Sequence, residues 1–340
     1  MSGRYRHKKK RLSTTAIISI LILTVLVYAG ILLGVKLVGS RLETSDTQET
    51  VGSLEGRFSS TNRPTKEIGG KTLTYRDLTN ILLIGTDWDE DEPDNYRHYA
   101  GQSDFLLLLT IDKKNKTVSA LHLDRDTVAD VRTYGPFGDY TGAIQTQLCM
   151  AYSYGGTKEK NCENAVWSVS RLLGGLKIDG YVTMDMKSIA LFNDALGGVT
   201  VTLEDDMSAR DPAMVKGATV TLHGDMAEYF VRARKGVGDG LNTSRMRRQR
   251  QFMEAAEQLL LSGMREDMSF AGRVYDAMAG HIGTDLGRGW LINKAYECSS
   301  YSFSEIRTPV GEHLIGEEGY MEFHPDGEAL ESLITTLFYE

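Results

Sequence analysis

Hydrophobic residues in this chain cluster in short continuous runs that alternate with segments of helical periodicity. The runs that indicate strands lie at 80–85, 104–112, 117–123, 180–185, 199–203 and 320–324. The segments that indicate helices lie at 143–154, 161–173, 187–196, 224–232, 266–280, 286–296 and 327–338, and a further long helix is expected with Asn242 or Thr243 as its cap. Continuous apolar runs of this length are typical of strands buried on both faces. The alternation predicts an α/β domain whose mixed central sheet is covered by helices.

A longer apolar run precedes this pattern. Residues 12–35 contain no charge, whereas residues 1–11 contain six basic residues and no acid. At about 1.5 Å per residue the run is long enough to cross a bilayer, and it exceeds the apolar core of a cleavable signal peptide. A basic flank stays on the cytoplasmic side. We therefore expect a cytoplasmic tail at 1–11, one transmembrane helix at 12–38 that serves as a signal anchor, and a single-pass type II protein of the cell membrane with an extracellular catalytic domain.

The remaining residues divide by composition. Residues 39–79 are polar and rich in Gly, Ser and Thr, with a short hairpin or edge strand near 71–75, and we interpret them as an extracellular stalk. The folded core is expected at 80–264, and 265–340 is expected to be a C-terminal part packed on that core. A length of 340 residues with 41% hydrophobic content permits one sizeable domain of this kind.

The charge balance excludes one class of partner. The net charge is −8, and without the six positive charges of the tail the rest of the chain carries −14. A phosphate backbone requires a basic protein face, so nucleic acid is not expected as a partner.

The three cysteines, Cys149, Cys162 and Cys298, show neither a CxxC motif nor metal-ligand spacing. Outside the membrane a disulfide is permitted, and Cys149–Cys162 is the pair we favour. Three buried, reduced thiols are an equally well supported alternative.

Within this acidic chain, residues 229–252 hold six arginines and one lysine. Arginine suits phosphate because its planar fork donates two parallel hydrogen bonds and keeps its charge. On the long helix, Arg245 and Gln249 lie one turn apart on the same face, whereas Arg247 points elsewhere. A charged surface helix is the plain alternative for such a run.

Arg232 and Arg234 are two residues apart. They point the same way only if the chain is extended there. We therefore predict that the helix ending near 229–232 gives way to non-helical backbone by Arg234.

Charged side chains also follow or open the predicted strands of the core. Asp87 follows the first strand, Asp104 opens the second, and Arg125 and Asp126 follow the third. Ligand sites of open α/β sheets lie where strands end. Two carboxylates suit Mg²⁺, with Mn²⁺ as an alternative, because Mg²⁺ binds through one or two carboxylates plus phosphate oxygens. Taken singly, Asp87 is equally a turn residue, Asp104 a strand cap and Arg125 a surface charge.

Several spaced motifs occur in a fixed order, and together they resemble the LytR–CpsA–Psr family. They are NILLIGTD, SDFLLLLTID, VSALHLDRDT, AYSYGG, LFNDALGGVTV, and AEYFVRAR followed by RMRRQRQF. The resemblance covers roughly residues 80–264. It implies an α/β/α fold that holds a polyprenyl pyrophosphate, and a transferase that moves a glycopolymer, such as teichoic acid or capsular polysaccharide, from that carrier to peptidoglycan.

The resemblance also implies roles for residues. Asp87 and Asp104 match the family's two Mg²⁺ ligands, and Arg125 matches the arginine of its Pro-Arg-Asp motif. The other matching positions bind the substrate's phosphates and are Arg232, Arg234, Arg245 and Gln249. Arg125, Asp126, Arg232 and Arg234 are our candidate catalytic residues, with Asp126 or a metal-binding aspartate as the proton acceptor.

The chain departs from the family at three places. Asp124 replaces the usual proline, Gly101-Gln102 stand where an arginine often precedes the Ser-Asp pair, and Gln147-Leu148-Cys149 replaces the usual Lys-Ile-Asn. Arg97 is a possible substitute for the missing arginine.

Other functions stay open. One is a non-catalytic polyprenyl-phosphate binder that regulates the envelope, and another is a metal-dependent lipid pyrophosphatase. For the lipid we expect an apolar tunnel lined by residues such as Phe105, Leu107, Phe192 and Phe252, although each is also a plausible core residue.

Overall fold

The structure is a computed structural model that describes residues 65–68, 70–87, 101–234, 236–267, 269–287 and 301–340, together with 290, 291, 294, 297 and 298. The predicted basic tail, the transmembrane helix, Arg97, most of the stalk and most of the helix expected at 286–296 lie outside these residues. In the described part of the chain, no helix combines the length and apolar character that crossing a bilayer requires.

The strands are short and mostly paired with near neighbours in sequence. They are β1 (Thr65–Ile68), β2 (Lys71–Thr74), β3 (Leu78–Thr86), β4 (Ser103–Asp112), β5 (Thr117–Leu123), β6 (Val128–Tyr134), β7 (Tyr140–Gln147), β8 (Gly180–Met184), β9 (Thr200–Thr202), β10 (Thr219–Thr221), β11 (Ile282–Thr284), β12 (Ser302–Arg307), β13 (Gly311–Ile315) and β14 (Met321–Pro325).

The helices lie mostly in the second half of the described residues. They are α1 (Lys158–Leu172), α2 (Lys187–Ala195), α3 (Asp225–Arg232), α4 (Asn242–Glu266), α5 (Phe270–Met278) and α6 (Gly327–Phe338), with 3₁₀ turns at Leu148–Ser153 and Ala279–His281.

The central sheet has six strands in the order β11–β8–β3–β4–β5–β12. β3 pairs antiparallel with β4 and parallel with β8, and β5 pairs antiparallel with β4 and parallel with β12. The sheet is therefore mixed, and the predicted α/β fold class is confirmed. The short polar turn between β4 and β5 makes the hairpin that the sequence indicates.

Both faces of the sheet are buried because β3 and β4 are apolar at nearly every position. Leu82 and Ile84 of β3 point to the face covered by α1 and α6, and Ile81 and Leu83 point to the opposite face. All four side chains are at most 1% exposed. Burial of each such side chain stabilises the fold by about 1.5–3 kcal/mol.

A separate apolar cluster joins α2, α3, α4 and α5 around Phe230, Phe252 and Ala256. It meets the second face of the sheet through Tyr275 and Ile282, which contact both clusters. Helices therefore lie on both sides of the sheet, in three layers.

The C-terminal segment contributes to the sheet itself. β11 and β12 are its two edge strands, and α6 packs its buried side chains on the face shared with α1. Tyr75, beside β2, forms a β-bridge with Tyr339 at the end of the chain. The region expected to be a stalk therefore contains ordered strands from Thr65 onward.

The prediction of a helix at 143–154 is wrong. Residues 140–147 form strand β7, which pairs antiparallel with β6, and the following residues form a 3₁₀ turn. Ile144 of β7 lies opposite Val131 of β6. Pairing with a strand that the sequence did not indicate overrides the local helical pattern.

The expected helix stops are confirmed. α1 is followed by Gly174 and Gly175, and both have positive φ values of 75° and 83°. Their N–H groups donate to the carbonyls of Arg171 and Ser170. Glycine adopts this left-handed backbone without the steric penalty of a Cβ atom, so it ends the helix here.

The start of α4 differs from the prediction. The residue that caps it is Leu241, with extended backbone and no side-chain capping bond, rather than Asn242 or Thr243. Asn242 is already inside the helix, and its side chain is used elsewhere.

The three cysteines are buried and free, so the favoured Cys149–Cys162 disulfide is absent. Burial raises the pKa of the Cys149 thiol to about 11 and that of Cys162 and Cys298 to about 12. The alternative of three reduced, buried thiols is the one the structure supports.

We expect iodoacetamide at pH 7.5 to leave all three thiols of the native, unreduced protein unmodified, since the reactive thiolate is scarce and buried. The same reagent in denaturant should modify all three without prior reduction. Mass spectrometry after each treatment counts the modified thiols. If only one thiol reacts in the denatured protein, the other two are bridged and the disulfide prediction is correct.

Candidate functional site

Two aspartates meet where β3 and β4 pair. Asp87 follows the last residue of β3, and Asp104 is the second residue of β4. A register shift after Gly85 pairs Thr86 with Ser103, which brings the two carboxylates to the same end of the hairpin. Burial and the nearby charge of Asp104 raise the pKa of Asp87, although a hydrogen bond from the Gln102 backbone N–H to the Asp87 carboxylate opposes this.

Arginines surround Asp104. Its Oδ1 atom accepts from Nη1 of Arg125 and lies 3.3 Å from Nη1 of Arg245. Burial by itself would raise the pKa of Asp104, but the charges of Arg125, Arg245 and Arg232 outweigh it and lower that pKa. Asp104 is therefore ionised and fixed by two guanidinium groups from different elements.

Arg125, directly after β5, makes several contacts at once. Besides Asp104, its Nη2 atom donates to Oε1 of Gln102 and lies 3.0 Å from the Cys149 sulfur. Its Nε atom is 3.4 Å from Oδ1 of Asp126 but is not aligned for a hydrogen bond. Contacts with Asp104, Gln102 and Cys149 therefore fix the orientation of the guanidinium group.

Asp126 has no exposed surface. Nη2 of Arg234 lies 3.1 Å from its Oδ2 atom, again without hydrogen-bond alignment, and Nε2 of Gln147 donates to its Oδ1 atom over 3.2 Å. Burial raises the pKa of Asp126 against the opposing charges of Arg234 and Arg125. This carboxylate links two of the candidate phosphate-binding arginines.

The end of α3 positions Arg232 and Arg234. The helix ends at Arg232, and Ala233 has φ −53° and ψ 130°. The predicted non-helical backbone is therefore confirmed. Arg232 is close enough to lower the pKa of both Asp87 and Asp104, and its Nη1 atom also donates to Glu228 over 2.6 Å. Arg232 therefore lies near Asp87 and Asp104, whereas Arg234 contacts Asp126.

Helix α4 supplies Arg245 and Gln249 to the same site. The Gln249 side chain donates to the carbonyl of Val231 over 3.3 Å, so it also supports the end of α3. Arg247 points away from the site, as the helical phase predicts, and its Nη2 atom donates to Asp205 over 2.9 Å.

An apolar cavity opens beside this polar cluster. Its polar lining includes Asp104, Arg232 and Gln249. The apolar lining comes from β4, α2, α3, α4 and α5 and includes Phe105, Ile189, Phe192, Val231, Phe252, Met253, Ala256 and Met278. Three of the four predicted tunnel residues line it; Leu107, fully buried in the sheet core, does not.

The carboxylate pair alone offers few metal ligands. Among the described residues, no group of three or more histidine, cysteine or acidic side chains is arranged to hold a metal ion. Asp104 lies close enough to raise the pKa of Asp87, and two neighbouring carboxylates fit Mg²⁺, which takes its remaining ligands from water and substrate phosphate.

Several contacting residues were not identified from the sequence. Gln102 bridges Asp87 and Arg125, Cys149 contacts Arg125, and Asn242 accepts from Arg245. Gln102 and Cys149 lie at positions where the chain departs from the family pattern, and this departure was the only sign in the sequence that they could belong to the site. Asn242 gave only a helix-start signal.

The chain is similar to known proteins over most of its length. The LytR_cpsA_psr family model matches residues 44–338. The chain is 28% identical over 287 residues to the polyisoprenyl-teichoic acid–peptidoglycan teichoic acid transferase TagU of Halalkalibacterium halodurans, covering 83% of this chain and 87% of that protein. It is 29% identical over 215 residues to biofilm regulatory protein A of Streptococcus mutans, covering 61% of this chain and 50% of that protein.

The crystal structure of protein gbs0355 from Streptococcus agalactiae has a similar fold. It superposes with a TM-score of 0.61 at 22% identity, covering 76% of this chain and 87% of that chain. The fold is a three-layer α/β domain in which an arginine-lined aspartate pair lies beside an apolar cavity. The chain belongs to the LytR–CpsA–Psr family.

Proposed function

We propose that this protein is a membrane-anchored, extracellular phosphotransferase that moves a glycopolymer from a polyprenyl-pyrophosphate carrier to peptidoglycan. The observation that carries the proposal is the cavity, whose lining is mostly apolar but includes Asp104, Arg232 and Gln249. A ligand with a long hydrocarbon tail and a charged phosphate head matches that division. The family, and the teichoic acid transferase activity for which the TagU relative is named, support the same reaction.

In the proposed reaction, an acceptor hydroxyl oxygen forms a bond to the phosphorus bonded to the sugar. The bond from that phosphorus to the bridging oxygen breaks, and the lipid monophosphate leaves. Arg125, Arg232 and Arg245 lie around the carboxylate pair, where they would stabilise the charge that develops on the phosphate oxygens. The hydroxyl proton passes to a carboxylate of the site.

Asp126 was a candidate for that proton acceptor. Because it has no exposed surface and lies between Arg125, Arg234 and Gln147, we propose instead that it positions those side chains. Asp87 is only half-buried and so is more accessible to an acceptor hydroxyl, which makes it the better proton acceptor.

For the cofactor we propose Mg²⁺ held by Asp87 and Asp104. When bound, the ion would neutralise phosphate charge and orient the pyrophosphate. The carboxylate pair and its half-buried position are the structural support for this proposal.

The deciding experiment incubates the purified full-length protein with a polyprenyl-pyrophosphate-linked glycan, peptidoglycan and Mg²⁺. If the protein is a transferase, the glycan becomes covalently bound to peptidoglycan through a phosphodiester, and polyprenyl phosphate is released. Release of free glycan phosphate in place of attachment would identify a pyrophosphatase. Binding of the lipid with no turnover would identify a regulator.

Ile189→Glu tests the cavity. It places a carboxylate in the apolar lining, and we expect it to weaken binding of geranylgeranyl pyrophosphate at least about tenfold, because a buried charge loses its hydration. Binding of inorganic pyrophosphate should stay unchanged. Isothermal titration calorimetry measures both.

Ala190→Glu, on the next residue of α2 and outside the cavity lining, is the matched control. Equal binding of the lipid by both variants would show that the hydrocarbon chain lies elsewhere.

A further inference from the structure

The hairpin of β13 and β14 packs against the segment that carries Arg125 and Asp126. The Phe323 backbone N–H donates to the carbonyl of Asp126 over 2.8 Å, and Nε2 of Gln147 donates to the carbonyl of Met321 over 2.6 Å. Thr127 forms a parallel β-bridge with Phe323. Residues far along the chain therefore support the segment that carries Arg125 and Asp126.

One side chain of this hairpin reaches further. Nε2 of His313 lies 3.0 Å from Oδ2 of Asp124, and its ring packs against Phe323 with ring centres 4.9 Å apart. Asp124 is only 4% exposed, so its carboxylate depends on protein donors. Its Oδ1 atom accepts from Nδ2 of Asn242 over 2.6 Å and from the backbone N–H of Asp126 over 2.9 Å.

Asn242 carries the contact into the site. With its amide nitrogen on Asp124, its Oδ1 atom faces Arg245 and accepts from Nε over 2.8 Å, and from Nη2. This leaves Nη1 of Arg245 directed at Asp104, 3.3 Å away. Asn242 and Arg245 are 1% and 3% exposed, so neither amide nor guanidinium has water as an alternative partner.

We propose that His313 is a positioning residue for the reaction proposed above: through Asp124 and Asn242 it fixes the orientation of Arg245 at Asp104. The chain of contacts has one direction only. His313 donates to Asp124, Asp124 accepts from the Asn242 amide, and the Asn242 carbonyl accepts from Arg245. Each link sets the orientation of the next.

The proposal assigns a defined effect to the loss of the His313 donor. Oδ2 of Asp124 would lack this donor, and the carboxylate would rotate to recover hydrogen bonds. The Asn242 amide would then lose its fixed orientation, and Arg245 would leave the geometry in which it contacts Asp104. A small displacement of a group that acts on the transition state lowers the rate more than it weakens ground-state binding.

The test compares two substitutions in the full-length protein. His313→Phe keeps an aromatic ring against Phe323 but removes the donor, and we expect kcat to fall about tenfold while KM rises only about threefold. His313→Gln keeps an N–H that reaches Asp124, and it should retain activity within about threefold of wild type. His324→Gln is the control, because His324 lies on the same hairpin but its side chain pairs with Glu322 at the surface.

A double-mutant cycle identifies the route. If His313 acts through Asn242, His313→Phe added to Asn242→Ala should change kcat by less than about twofold, since the link is already broken. Equal losses in the Phe and Gln variants, or full additivity with Asn242→Ala, would overturn the proposal.

A second measurement separates this proposal from the proposed function. Binding of geranylgeranyl pyrophosphate to each variant is measured by calorimetry, with no turnover required. A wild-type protein that binds this probe but transfers no glycan contradicts the proposed transferase. The positioning role is then judged from the affinity for the probe. His313→Phe should lower this affinity several-fold, and His313→Gln should leave it unchanged. Equal binding by wild type and both variants would overturn it.

Discussion

Replacing Asp104 by asparagine is expected to reduce glycopolymer transfer on the order of a thousandfold, the size of effect seen when a preorganised charged group is lost from an active site. The carboxylate is the shared partner of Arg125 and Arg245, and it is one of the two ligands proposed for Mg²⁺. Asparagine keeps the shape but removes the negative charge. The arginines would then repel one another, and metal binding would weaken. Single-turnover transfer to peptidoglycan measures the loss.

Asp139→Asn is the matched control, because Asp139 is an exposed carboxylate in the turn between β6 and β7. It should transfer at the wild-type rate. Wild-type protein in excess chelator should resemble Asp104→Asn. Full activity of either the variant or the chelated protein would exclude the metal role.

The central strands could be predicted because they are buried on both faces. β3 contains the run ILLI and β4 the run LLLL, which few structures other than a buried strand accommodate. The site aspartates then follow from position alone, since Asp87 and Asp104 end and open neighbouring strands. The same reasoning predicted the break at Ala233, because Arg232 and Arg234 share a direction only in extended backbone.

The β6–β7 hairpin could not be predicted in the same way. β7 is largely exposed, so its sequence lacks the apolar run that identifies β3, and its conformation depends on pairing with β6. Such pairing is a property of two segments, and local propensity describes only one. The spacing of Cys149 and Cys162 likewise suggested a bridge that the fold does not make.

Partners of charged groups were the least predictable part of the site. Helical phase shows that Arg247 points away from Gln249, but it does not show that Arg247 donates a hydrogen bond to Asp205. Nor does any local signal connect His313 to Asp124, which lies 189 residues away. These contacts depend on the tertiary arrangement, and only the structure displays them.

Arg248→Met is the second large effect that we expect. This side chain is 1% exposed and satisfies three acceptors: Asp205 over 2.7 Å, the Phe230 carbonyl over 2.9 Å, and the Ala233 carbonyl. The two carbonyls belong to the end of α3, where helix carbonyls lack partners within the helix. Methionine fills similar space but donates nothing, so the variant should lose about 3–5 kcal/mol of unfolding free energy, as when one partner of a buried ion pair is removed.

Arg247→Met is the control that makes this prediction specific. The neighbouring arginine pairs with the same Asp205, but its side chain is 40% exposed, so its removal should cost about 0–1 kcal/mol. Urea denaturation of both full-length variants measures the difference. Because Arg248 holds the backbone between Phe230 and Ala233, its loss should also displace Arg232 and Arg234 and reduce transfer in the folded variant, whereas Arg247→Met should remain active. Equal stability of the two variants would show that Arg248 does not anchor this segment.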